Sequence, residues 1–237
     1  MKRFPLLPAV LLFASAAFAA DPAPAAPEYF DAARFDWHAV VPPPPADDSF
    51  AGRADQEIVN QLDAHRTPEQ AALARRYEKT VDVFMLLAPV LGDWCTPENL
   101  PRTTAFFKQA YAESRPVVDA AKTAWNRPRP YIFNPALQPA VDKPNNASYP
   151  SGHAFVSSWM AALLSVALPE HAADWTRQAA LIRWTRLAGG AHYPADVTAG
   201  RILGETVGRE LLKSPKLQRA LEEVRAELLA HLQKKAA

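Results

Sequence analysis

The chain has a single cysteine, Cys95, so no internal disulfide can staple its fold. Set beside Trp94, this cysteine reads as a small packed side chain rather than a reactive thiol. Glycine is scarce, at 8 of 237 residues. Convincing strand alternation is missing, and so is any internal repeat, which argues against a sheet or a repeat array. Neither sign of charge is in excess, with 26 basic against 25 acidic residues. Without a basic stripe there is no footprint for nucleic acid. Beyond residue 20 no run reaches the roughly 18 uninterrupted apolar residues of a membrane helix.

Hydrophobic residues make up 49% and charged residues 22%, an ordinary globular balance, and the length suits one domain with a sizeable core. Proline is abundant, at 23 residues, and much of it stands where helices would begin. Residues 1–19 have the form of a cleaved secretory signal peptide. Met1-Lys2-Arg3 is a basic start, Phe4 to Phe18 is apolar, and Ala17-Phe18-Ala19 is a small-x-small cleavage site. The stretch is short for an uncleaved anchor and carries two prolines. Its removal leaves 24 basic and 25 acidic residues. The mature chain is therefore expected to be periplasmic or secreted, without stable membrane insertion.

Residues 20–50 form a Pro/Ala-rich arm. The run Pro42-Pro43-Pro44-Pro45 favours an extended conformation packed on a surface. Residues 51–237 read as helical. Thr67-Pro68-Glu69-Gln70 opens a helix, and Leu73, Tyr77, Val81, Phe84 and Leu87 continue it at helical spacing. Thr96-Pro97-Glu98 and Ser214-Pro215 open two more in the same way. Further helices are expected over 101–125, 151–167, 170–188, 194–212 and 215–233. The architecture implied is all-α, a single-domain helical bundle with short connections.

Three segments carry candidate chemistry. Lys122 and Arg129 are seven residues apart, on one face if helical, with Pro128 and Pro130 ending the helix and Arg129 on its rim. Two such cations suit an anion between them, although a solvated basic face has the same look. Tyr149-Pro150-Ser151-Gly152-His153 precedes an apolar run. It places Ser, Gly and His at a helix N-terminus, where free N–H groups favour an anion and Gly152 allows close approach. Ser151 could equally be a plain N-cap. In Thr185-Arg186-Leu187-Ala188-Gly189-Gly190-Ala191-His192, the glycines end one helix and Pro194 opens the next. His192 and Asp196 can meet across that first turn. A carboxylate on one imidazole nitrogen leaves the other free as a nucleophile, and a helix-capping pair is the alternative. His38, His65, His171 and His231 fall outside every motif and read as surface or packing residues.

Together the segments hold three fixed cations, a helix N-terminus, two histidines and a carboxylate. Phosphoryl transfer needs this kit. The order Lys-x6-Arg-Pro, Pro-Ser-Gly-His, Ser-Arg-x5-His-x3-Asp is the signature of the type 2 phosphatidic acid phosphatase superfamily. Here it reads Lys122…Arg129-Pro130, Pro150-Ser151-Gly152-His153 and Arg186…His192…Asp196. Thr185 stands where the signature has Ser and keeps the hydroxyl. From about residue 38 onward the chain resembles the bacterial class A non-specific acid phosphatases, through the Pro-rich arm, Asn146-Ala147-Ser148-Tyr149 and His192-Tyr193-Pro194-Ala195-Asp196-Val197.

The resemblance implies an all-helical fold of the acid phosphatase and vanadium haloperoxidase type, acting on small phosphomonoesters. Lys122, Arg129 and Arg186 would repel a divalent metal, so no metal and no cofactor is expected. It makes His192 the phosphoryl-accepting nucleophile, Asp196 its orienting carboxylate and His153 the general acid. Lys122, Arg129, Ser151, Gly152 and Arg186 become the phosphate-binding groups. Homo-oligomers are common among such relatives. An imidazole with an ordinary pKa near 6.5 at His153 would favour mildly acidic pH. A lipid phosphate or diphosphate phosphatase of the same superfamily is the alternative, although those relatives usually have several membrane spans.

Overall fold

In the computed structural model, residues 26–79 and 81–236 are described, and the expected leader over 1–19 lies outside them. All regular structure among these residues is helical. The arm opens with two 3-10 turns, Ala32–Arg34 and Trp37–Ala39, whose first N–H groups are met by Asp31 and Asp36 side chains. Phe30, Trp37 and Val41 sink into the main core. The backbone N–H groups of Glu28, Tyr29 and Phe30 all donate to the Glu113 carboxylate, at 2.5, 2.8 and 3.0 Å. The proline run follows as irregular chain at the surface.

Helix α1 spans Phe50–His65 and is capped by Ser49 Oγ, which accepts from Gly52 N–H. Helix α2, Pro68–Arg76, begins with the Thr67–Gln70 capping box that the sequence announces. The periodic run to Leu87 does not stay helical. It breaks after Arg76 and restarts as α3, Phe84–Leu91, where Asp82 accepts from Phe84 N–H at 2.9 Å. The break has a tertiary cause. Tyr77 turns into the core to accept a hydrogen bond from Gln178 Nε2 at 2.7 Å, and Glu78 turns its carbonyl to His153. Thr96-Pro97-Glu98 opens only a turn, and the helix it was expected to start, α4, begins at Pro101 and runs to Trp125.

Helix α4 ends before the prolines expected to stop it. Asn126, in the left-handed region at φ 41°, closes it by donating its N–H to Lys122 O. Asn and Gly are the residues that tolerate this C-terminal geometry. Arg129 is thus not on the helix rim. It is the N-cap of a short turn of helix, α5, Pro130–Phe133. The remaining helices are α6 (Gly152–Ala167), α7 (Ala172–Ala188), α8 (Pro194–Leu211) and α9 (Pro215–Ala236).

Helix α6 is the centre of the bundle. It is buried around nearly its whole circumference, against α7 and α8, as its apolar sequence requires. Trp159, Phe155, Leu163 and Leu164 fill the core, and Trp159 stacks on Phe107 of α4 at 6.1 Å between ring centroids. Helix α8 comes very close to α6 because Gly200 and Gly204 face it. A β-carbon at either would overlap the carbonyl oxygen of Ser151 or of Phe155. That approach sets the N-termini of α6 and α8 side by side, with the Gly189-Gly190 turn ending α7 next to them.

Candidate active site

At the junction of these helix ends lies a cavity of about 280 Å³. Its wall includes Lys122 from the last turn of α4, Arg129 from the following loop, Gly152 and His153 from the start of α6, Arg186 from the end of α7, and His192. Residues from three distant segments therefore meet in one place. Two candidates stand behind the wall. Asp196 is fully buried beneath His192. Ser151 caps α6 through Oγ, which accepts from Ala154 N–H, and its own N–H donates to Asp196 O at 2.9 Å. The Thr185 hydroxyl donates to Ile182 O at 2.7 Å, within its own helix.

Lys122 and Arg129 are held mainly by backbone carbonyls. Lys122 Nζ donates to Ala147 O and Ser148 O at 2.6 and 3.2 Å. Arg129 donates through Nε to Asn146 O, through Nη2 to Asn146 Oδ1 and through Nη1 to Ala191 O, at 2.9, 2.7 and 2.9 Å. Arg186 leaves Nε and Nη1 buried with no protein partner. Burial and the neighbouring Arg129 push Lys122 down to about 7 and Arg186 down to about 10. Three crowded, desolvated cations are a poor arrangement for a protein alone and a good one for a multiply charged anion.

His192 is buried and has both ring nitrogens engaged. Nδ1 lies 3.3 Å from Asp196 Oδ2 and 3.4 Å from Ser148 Oγ. Nε2 lies 3.2 Å from Arg129 Nη1. The carboxylate favours the Nδ1–H tautomer, which leaves a lone pair on Nε2 at the cavity side. Burial, then Arg129, Lys122 and Arg186, hold the imidazole well below its ordinary pKa, so the ring is neutral. Asp196 is held in turn. Oδ2 accepts from Ser148 Oγ at 2.5 Å and Tyr193 N–H at 2.9 Å, and Oδ1 accepts from Arg127 Nη1 at 2.9 Å. Burial raises the Asp196 carboxyl, and these donors pull it back.

His153 departs from the sequence expectation. Its Nε2 is 3.0 Å from Glu78 O, the carbonyl that the α2–α3 break delivers. Burial and the three cations push its pKa down to about 3, although the Glu78 carbonyl favours the charged form. The ordinary value near 6.5 overlooks the like charges that the same site must gather.

Several residues of the site carry no motif. Arg127 bridges two buried carboxylates, with Nη1 2.9 Å from both Asp55 Oδ2 and Asp196 Oδ1, and its guanidinium lies 4.0 Å over the Tyr193 ring. Asp55, on α1, also accepts from Ala195 N–H at 3.0 Å at the start of α8. In the sequence, Ser148 and Asn146 stand out only as part of the Asn146-Ala147-Ser148-Tyr149 stretch. The doublet Arg127-Pro128-Arg129-Pro130 could have flagged Arg127. For Asp55 the sequence holds no such signal. Among the described residues no group of three or more His, Cys, Asp or Glu gathers as a metal ion would need. No described helix is long and apolar enough to cross a membrane.

Comparison with known proteins adds an independent line. The family model described as the PAP2 superfamily matches residues 103–219. A non-specific acid phosphatase of Salmonella typhimurium is 32% identical over 195 residues, covering 79% of this chain and 78% of that one. A solved bacterial vanadium-dependent iodoperoxidase superposes with a TM-score of 0.57 at 18% identity, over 73% of this chain and 51% of that one. A transmembrane PAP2-type phosphatidylglycerolphosphate phosphatase from Bacillus subtilis gives 0.52 at 17% identity, over 70% of this chain and 87% of that one. At such identities the two structures speak for the fold alone.

Proposed function

Because the chain belongs to the PAP2 superfamily and is homologous to bacterial non-specific acid phosphatases, we propose that it is an exported, metal-independent phosphomonoesterase working through a phosphohistidine on His192. The observation that carries this reading is the neutral His192, its Nδ1 on the Asp196 carboxylate and its Nε2 beside Arg129 in a cavity walled by Lys122, Arg129 and Arg186.

The phosphate oxygens of a monoester are held by these three cations, with the N–H groups at the start of α6 adding to the field. The Nε2 lone pair of His192 attacks phosphorus as the bond to the leaving oxygen breaks, and the proton of His153 passes to that oxygen. Asp196 stabilises the imidazolium form through Nδ1–H. A water molecule then gives a proton to His153 and attacks phosphorus, the P–N bond breaks, and inorganic phosphate leaves. His153 is nearly uncharged in the cation-rich pocket. A phosphate dianion reverses the sign of its surroundings, so substrate binding raises its pKa and readies it as an acid.

The three cations also argue against the need for a divalent metal. They repel one, and they already supply the charge stabilisation that a metal would provide. The test is acid-quench of EDTA-treated protein with a labelled aryl phosphate. An acid-labile, base-stable phosphoenzyme should form in the wild type and be missing in His192→Ala, with turnover lost. Full turnover by a folded His192→Ala protein overturns the mechanism. Activity abolished by EDTA and restored by zinc or magnesium overturns its metal independence.

A further inference from the structure

A second groove, of about 190 Å³, adjoins the cavity and shares Val81 with it. Two helices continue from one into the other. On α4, Lys122, Val118 and Arg115 line the cavity, and Tyr111, Lys108, Phe107 and Thr104 line the groove. Apart from the adjacent pair Phe107 and Lys108, these positions follow at three- and four-residue steps and so share one face. On α6, His153 and Val156 face the cavity, and Met160, one turn further, faces the groove. Val83 and Phe84 close it from the α2–α3 side. The lining is apolar, while Asp82 and Lys108 stand exposed on the rim.

Direction along α6 gives the groove its meaning. The side chain proposed to protonate the leaving alcohol is His153, and the groove lies beyond it, away from the phosphate-binding cations. We propose that this groove is a leaving-group subsite for the apolar moiety of the substrate, so that the favoured substrates are phosphomonoesters of alcohols bearing an aromatic ring or an alkyl chain of about six carbons. This deepens the phosphatase reading and rests on it. Size supports the class, since an apolar cavity of about 150 Å³ is enough to hold benzene. The open side means that each methylene loses only part of its water. About half burial corresponds to about a two-fold gain per methylene.

The test uses two series, n-alkyl phosphates as substrates and n-alkylphosphonates as non-hydrolysable ligands, from methyl to octyl below the micelle concentration. Both kcat/KM and phosphonate affinity by calorimetry should rise about two-fold per methylene, about 30-fold from methyl to hexyl, and then level off. Thr104→Trp, which fills the groove from α4, should flatten both slopes. Flat series in wild type with methyl phosphate still hydrolysed overturn the groove and leave the phosphatase standing. A rising phosphonate series without hydrolysis of any ester overturns the phosphatase and leaves the groove as a binding site. Slopes unchanged in a folded Thr104→Trp protein place the chain elsewhere and overturn the assignment.

Discussion

Arg127 offers the sharpest test of how His192, the proposed nucleophile, is held. It does not line the cavity, yet it supplies a charged donor to Asp196 and ties that carboxylate to Asp55 on α1. Arg127→Met keeps much of the side-chain volume stacked on Tyr193 and removes the charge. Asp196 then keeps Ser148 Oγ and Tyr193 N–H, and Asp55 keeps Ala195 N–H, but both carboxylates stay buried without a counter-charge. Breaking a buried pair on one side costs about 3–5 kcal/mol. For a chain of this size that lowers Tm by about 6–20 °C, which leaves a folded protein if the starting stability is in the usual range. Asp55→Asn with Arg127→Met removes one of the stranded charges, so the double variant should be more stable than the sum of the two single losses.

A structural role alone would end there, and activity distinguishes the two. Burial already raises Asp196, and Arg127 is the strongest influence lowering it. Without Arg127 the carboxyl rises further, takes up a proton at higher pH, and stops holding Nδ1–H of His192. The acid limb of the kcat profile should therefore move to higher pH in Arg127→Met and stay in place in Asp55→Asn, which keeps the Arg127–Asp196 bridge. A pH–rate profile on an aryl phosphate reads this directly. If Arg127→Met loses stability while its acid limb stays at the wild-type position, the positioning role is refuted.

Other consequences are open to measurement. His153→Ala should slow alkyl phosphates far more than activated aryl phosphates, because a good leaving group needs little protonation, and equal losses across a leaving-group series would reduce His153 to a binding group. Sulfate is a dianion at every relevant pH and should raise the depressed Lys122 and His153 values, so its binding takes up protons and weakens as pH rises through about 7, where free Lys122 titrates. Calorimetry in buffers of different ionisation enthalpy reads that uptake, and binding indifferent to pH between 6 and 8 would contradict it. In the free protein His153 has a folded pKa of about 3 against about 6.5 unfolded, so below pH 6.5 the unfolded chain binds a proton that the native one refuses. Stability should thus fall with pH by about 1.4 kcal/mol per unit for this histidine, with His192 adding in the same direction, and His153→Ala should lessen the slope of denaturation midpoints between pH 7 and 5.

What could be read from the sequence was whatever is written locally. Thr67, Pro68 and Gln70 cap α2, Pro194 and Pro215 open α8 and α9, and the glycines after Ala188 end α7, because each acts on its own turn. The motif residues Lys122, Arg129, Gly152, His153, Arg186 and His192 were legible as three short strings, and the fold brings them to one wall. What stayed hidden depends on distant partners. Tyr77 leaves its helical period for Gln178, and Asp55 gains its place only when α1 meets the start of α8. The protonation of His153 is hidden in the same way. Its pKa follows from burial beside Arg186, Arg129 and Lys122, and on the proposed mechanism the charge that would make the imidazole an acid comes with the substrate. On that mechanism an acid preference would be a property of the occupied pocket, and it should follow the charge of the bound phosphate rather than the free histidine.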